Sequence, residues 1–211
     1  MHFSFRLLEH HYRGMYQFCT GIEEDQTRIA AAFASCWGFI DVLHRLRELA
    51  QVIPGLGHKA QELKRFLGRT KLAEPYRHYI QHLRRELVKS EPNPFPVWGS
   101  LTWVDSQDPN LTHTVMLGAN LGNTGYSGAV FDTVERRWVS RVCLGVGTDS
   151  FNFDPIFEEA MIFEKFVVPW MLAHDADTLT VLREPPIISI RFDGNVQGHD
   201  ESDDPGVETA G

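Results

Sequence analysis

Between Ile29 and Leu49 large apolar side chains recur at spacings of three and four: Ile29, Phe33, Trp37, Ile40, Leu43, Leu46 and Leu49. An α-helix turns about 100° per residue, so this spacing gathers them on one side. The pattern predicts a long amphipathic helix starting after Thr20 or Gly21, with acids in its first turn, and ending at Pro54-Gly55-Leu56-Gly57. Ahead of it, Phe5, Leu8, Tyr12, Met15 and Tyr16 also have helical spacing, weakened by Gly14, and this stretch is equally open to beginning as a strand. Shorter helices are predicted at about 58–68 and 72–89. Ser90-Glu91-Pro92-Asn93-Pro94-Phe95-Pro96 then stops the helical pattern, because three prolines cannot continue a helix.

Beyond that corner the periodicity changes. VWGSLTWVD, LTHTVMLGAN, YSGAVFDTV and RWVSRVCLGVG are short runs rich in Val, Thr and aromatics, separated by turn-forming stretches. They predict an antiparallel meander. A further helix is expected at about 155–173, with Asp154 as N-cap, Pro155 at its first position, and Pro169 kinking or shortening it. TLTVLREPPIISIRFD reads as one or two closing strands, and the acidic, glycine-containing end as disordered. The expected fold class is α+β, in three parts: a helical bundle at 1–92, a β-rich region of no recognised family at 93–193, and a loose tail at 194–211. The short linker leaves the first two free to share one core.

With 43% hydrophobic and 11% aromatic residues the chain has enough apolar material for a sizeable core. No unbroken apolar run reaches the roughly 18 residues of a membrane span, and MHFSFRLLEHHYRG lacks the apolar centre of a signal peptide, so a cytoplasmic protein with no membrane partner is expected. Cys19, Cys36 and Cys143 form no CxxC pair and read as reduced, buried fillers. Charge is uneven. Residues 1–94 carry 14 Lys and Arg against 10 Asp and Glu, a balance of +4; residues 95–211 carry 6 against 18, a balance of −12. The acidic whole argues against non-specific DNA coating, while the basic first half permits a local polyanion contact.

On a wheel of residues 72–89, Tyr76, Ile80, Leu83 and Leu87 form the core face. His78, His82 and Arg85 lie nearly opposite, and Arg77 sits on the shoulder beside Gln81 and Arg84. A solvated basic face is the ordinary fate of such a stripe. It also has chemical potential. Histidine can take and give a proton near neutrality, and arginine can clamp a phosphate. Cleaving RNA needs a base for the 2′-hydroxyl, an acid for the leaving oxygen and a cation at phosphorus. Arg77 and His82 are about 140° apart on one helix, so a symmetric dimer would be needed to complete such a site.

RHYIQH, Arg77 to His82, resembles the signature of the HEPN superfamily: arginine, a polar residue, three further residues, then histidine. The resemblance covers roughly residues 1–92, where the long helix before the motif looks like the one that usually packs against it. It implies an antiparallel helical bundle and a metal-independent endoribonuclease of the kind found in toxin–antitoxin pairs, phage defence and RNA processing. Two motifs would meet in a homodimer on an RNA substrate, with an antitoxin or other regulatory protein as a further partner. Arg77 would stabilise the scissile phosphate, His82 would be the general acid or base, and His78 would orient the site. Asp41 would be an orienting acid from the preceding helix, with Arg85 in support. HEPN toxins controlled by AMP transfer carry a tyrosine two residues after the histidine; Arg84 stands there, so that regulation is not implied. Some HEPN domains are inert binding or assembly modules, which gives the alternative reading.

Other signals are weaker. LGANLGNTGYSG lacks the Gly-Lys-Ser/Thr of a phosphate loop and reads as turn glycines, so no cofactor is expected. Glu9-His10-His11 and the His78/His82 pair have no matching ligand set, so no metal is expected either. Phe95, Trp98 and Trp103 could stack on bases but fit better as core of the β half.

Overall fold

The computed structural model describes residues 1–20, 25, 27–57, 60–85, 97–117, 131–132, 134–147, 149–174 and 189. Helix α1, His2–Cys19, lies along helix α2, Arg28–Gln51. Gly14 of α1 faces Ser35, and Gly38 of α2 faces the His11 ring, so the two helices run antiparallel. Gly14, which looked like a weakness in a helical pattern, is a contact: a Cβ built there would sit 3.0 Å from Ser35 Oγ. The segment open to either structure is therefore helical. Helix α2 begins later than its sequence pattern suggested. Thr20 instead ends α1, its hydroxyl donating to the Tyr16 carbonyl at 2.7 Å, while Asp25 accepts from the Thr27 N–H and hydroxyl just ahead of Arg28. The last turn of α1 has taken the residue expected to open α2.

Helices α3, Gln61–Arg69, and α4, Ala73–Gln81, follow. Helix α4 is shorter than the expected 72–89. His82 is its C-cap, with φ −112° and ψ 25°, and helical structure resumes at 83–85, where the Arg85 N–H donates to the His82 carbonyl. A wheel drawn through residue 89 therefore does not apply past Gln81.

The sheet is antiparallel throughout, in the order β2-β1-β5-β6: β1 Ser100–Val104, β2 Thr112–Met116, β5 Val142–Val146 and β6 Asp149–Asn152. It is not a simple meander. Among the described residues, strands β3, Phe131–Asp132, and β4, Arg137–Trp138, pair only with each other, and β1 pairs directly with β5. The reason lies in the run 137–147, which is two strands: buried Ser140 interrupts it, its hydroxyl turned onto the Val142 carbonyl and receiving the Asp154 N–H. Helix α5, Phe153–His174, follows β6 at once and runs through Pro169 rather than stopping there. Asp154 is inside its first turn, not its cap.

One cluster of buried apolar residues draws on α1 to α5 and on β1, β5 and β6. Phe39 of α2 meets Phe151 and Phe153 edge-on, and Phe66 of α3 stacks on Phe163 of α5 at 4.3 Å. Such ring pairs add about 0.5–1.5 kcal/mol each beyond their burial. Tyr76 of α4 is fully within this core, and its hydroxyl is shared between the Leu144 and Asp149 carbonyls at 2.7 and 2.9 Å. The bundle is thereby docked on the sheet at the residue preceding Arg77. The α+β class follows from this arrangement.

Two charged side chains are buried and partnered. Arg47 donates to the Leu67 carbonyl, Thr70 and Glu74, joining α2 to α3 and α4. Glu159 of α5 accepts both Nε and Nη2 of Arg65 at 3.0 and 2.9 Å. All three cysteines are free and buried, and the thiol of Cys36 is pushed up by burial and by its neighbours Cys19 and Cys143. Trp103 is buried against His113, whereas Trp98 is half exposed. Helix α2 is long and apolar enough by length and composition to cross a membrane; here half of that stretch is buried in the core. The proline corner, Leu87, Phe95, the closing strands and the tail lie outside the described residues.

Candidate functional site

Arg77 turns back from α4 onto α2. Its Nε donates to Asp41 Oδ1 at 2.9 Å, and Arg45 Nε donates to the other oxygen of Asp41 at 2.7 Å. With its amide oxygen turned inward, Gln81 accepts from Arg77 Nη1 and Nη2 at 2.9 and 3.0 Å. The shoulder position explains this reach. Arg77 follows buried Tyr76, so its stem lies at the α2–α4 seam, where its side chain is 24% exposed. Burial pushes the Asp41 carboxyl upward, but hydrogen bonds from Arg77 and Arg45 outweigh it and hold the group below the usual carboxylate value.

His78 and His82 are exposed, with ring centroids 4.4 Å apart. They form a pair on the open side of the same short helix, His82 at its end. Arg85 lies beyond the cap and is exposed. The fold thus brings Asp41 to Arg77 and His78 to His82, and leaves Arg85 on the following turn.

Two further histidines belong to this region and were not singled out as site residues by the sequence. His44 follows Asp41 by three positions on α2. Its Nδ1 is buried with no hydrogen-bond partner among the described residues, and burial together with the nearby Arg77 charge lowers its pKa. His11 of α1 rests on Gly38; burial and neighbouring His10 lower its pKa, against an opposing pull from Asp41. The three-residue step from Asp41 was the signal for His44. His11 stood out only within Glu9-His10-His11; its place beside Asp41 depends on another helix, which no local pattern shows. The result is a seam in which a carboxylate and two guanidiniums are fixed beside histidines that burial favours as neutral.

Among the described residues no group of three or more His, Cys, Asp or Glu side chains is gathered so as to hold a metal ion. No protein-family model matches the chain, and neither a curated protein nor a solved structure matches it significantly.

Proposed function

We propose that the chain is a metal-independent endoribonuclease resembling HEPN toxins or defence effectors. It would act in the cytoplasm as a homodimer in which Arg77 and His82 of both copies meet at one RNA phosphate. The observation that carries this reading is that Arg77, fixed by Asp41 of α2, sits on the same short helix as His78, whose ring meets that of His82 at the helix cap. Asp41 holds Nε, which leaves the two Nη groups as the edge offered to phosphate; Gln81 is what a phosphate oxygen would displace. One His82 takes the proton of the 2′-hydroxyl as its oxygen attacks the adjacent phosphorus. The partner copy's equivalent group gives a proton to the departing 5′-oxygen. The products are a 2′,3′-cyclic phosphate and a 5′-hydroxyl end. Arg77 carries the charge that builds on phosphorus oxygens in between. His78 orients the imidazole, and Arg85 adds positive charge nearby; an antitoxin or other regulatory protein would be a further partner.

A second reading is a non-catalytic HEPN-like module that dimerises and binds a nucleotide, RNA or protein partner. It is favoured by the end of α4 at Gln81, which moves His82 onto a cap, and by the protein partners that already occupy Arg77.

Cleavage of a labelled RNA pool in EDTA, wild type beside His82→Ala and Arg77→Ala, separates the two. Loss of roughly 10²–10⁴-fold in rate on removing His82 fits a general acid or base. Cleavage that survives both substitutions refutes the site. No cleavage by folded, dimeric wild type favours the binding module.

A further inference from the structure

The acidic half of the chain concentrates its few positive charges. Of the six Lys and Arg in residues 95–211, three, Arg136, Arg137 and Arg141, fall within the β3–β4 hairpin and the turn after it. All three line an open cavity of about 440 Å³, together with Phe131, Trp138 and Asn110. That volume lies within the range of small-molecule sites.

Its aromatic wall is built rather than incidental. Phe131 and Trp138 meet edge to face at 5.1 Å, and the indole is fixed by its Nε1 donating to the Pro109 carbonyl at 2.8 Å. Phe131 remains 45% exposed. The side chains of Arg136 and Arg137 make no hydrogen bond or ion pair among the described residues, although the Arg137 charge acts on Asp132, its partner in the β3–β4 ladder. Arg136 also holds φ 52°, a left-handed conformation that favours glycine, so the turn spends backbone strain on a side chain it does not use internally.

One carboxylate lines the cavity, and its charge is turned inward. Asp154 accepts the Tyr12 hydroxyl at 3.0 Å, the Tyr16 hydroxyl, the Arg141 N–H at 3.1 Å and Arg141 Nε at 3.4 Å. Among the lining residues, three guanidiniums against one carboxylate leave a formal +2, partly offset by Asp132 opposite Arg137, in a half whose balance is −12.

We propose that this cavity binds a nucleotide, its phosphate held by Arg136 and Arg137 and its base laid against Phe131 and Trp138. Guanidiniums recognise phosphate oxygens bidentately, and bases pack on aromatic faces regardless of sequence. The nucleotide is either free or the phosphorylated end of an RNA strand. The site is separate from Arg77 and does not depend on nuclease activity.

Calorimetric titration of the full chain tests it, using AMP, ATP, adenosine, inorganic phosphate, and a short single-stranded RNA with a 5′-phosphate or a 5′-hydroxyl. A nucleotide is expected to bind more tightly than adenosine or phosphate alone. Arg136→Ala and Arg137→Ala, both at exposed positions, are expected to weaken it by about tenfold or more each, with unchanged circular dichroism. Preference for the phosphorylated RNA end over mononucleotide identifies the strand as source; the reverse identifies the free nucleotide. No binding by folded wild type, binding indifferent to both arginines, or phosphate binding as tightly as nucleotide overturns the proposal. Nucleotide binding without RNA cleavage would sink the nuclease reading alone.

Discussion

The Asp41–Arg77 pair sets how firmly the candidate site is built, and its strength can be worked from its surroundings. Two unit charges about 4 Å apart attract by about 4 kcal/mol at an effective dielectric of 20. Desolvation and side-chain ordering offset most of that. Asp41 is 40% exposed and Arg77 24%, so the pair falls between a solvated surface bridge, at most about 1 kcal/mol, and a buried charge-assisted hydrogen bond, about 1.5–3 kcal/mol. A coupling of about 1 kcal/mol is expected. The measurement is a double-mutant cycle by urea denaturation with Asp41→Ala, Arg77→Met and both together; methionine keeps much of the arginine stem, so packing losses largely cancel. Arg45 provides an internal control, because it binds the other oxygen of Asp41 but is 67% exposed. Its cycle should give about 0.3–0.5 kcal/mol, as for other one-turn helix pairs. A coupling for Arg77 no larger than that for Arg45 would refute the view that Asp41 positions Arg77.

Acid should loosen the same region. Folding holds His11 and His44 below the ordinary imidazole value of 6.5, so near and just below that pH the unfolded chain binds more protons than the native one. Their contribution is therefore full above 6.5 and is lost as pH falls through the native values; the urea midpoint should drop on acidification from neutrality, and His44→Gln should flatten the drop. Stability that rises on acidification through this window would contradict the assignment. At the sheet, Tyr76→Phe removes the hydroxyl shared by the Leu144 and Asp149 carbonyls and should cost about 1–2 kcal/mol, seen as a lower thermal midpoint. An unchanged midpoint would mean that α4 docks through apolar contact alone.

The longest elements were the most legible. The three-and-four spacing from Ile29 to Leu49 marks α2 because every one of those positions repeats the same local signal. The helix expected at about 155–173 is found at Phe153–His174 with Pro169 inside it, near the end where a proline costs less than at the centre. The end of α4 at His82 has no glycine or proline beside it, so the wheel ran on past the real cap. Strand β6 is only Asp149–Asn152 and passes straight into α5, so although Gly147 precedes it no turn residue marks its end. The candidate pair Arg77 and His82 was visible as a motif, whereas Arg77 resting on Asp41 depends on two helices meeting. Tyr12 and Tyr16 looked like core by spacing; their hydroxyls meet Asp154, a partner that no local pattern could name.

That last contact has a consequence for the order of events during synthesis. Tyr12 and Asp154 are separated by 142 positions, and Phe5 waits for Phe163 on the same late helix. At about 5–20 residues per second, Asp154 is made roughly 7–28 s after Tyr12. Through that interval the apolar faces of α1 and α2 have neither sheet nor final helix to cover them. The nascent chain must keep its first hairpin from clinging to other molecules until its last helix arrives to close it.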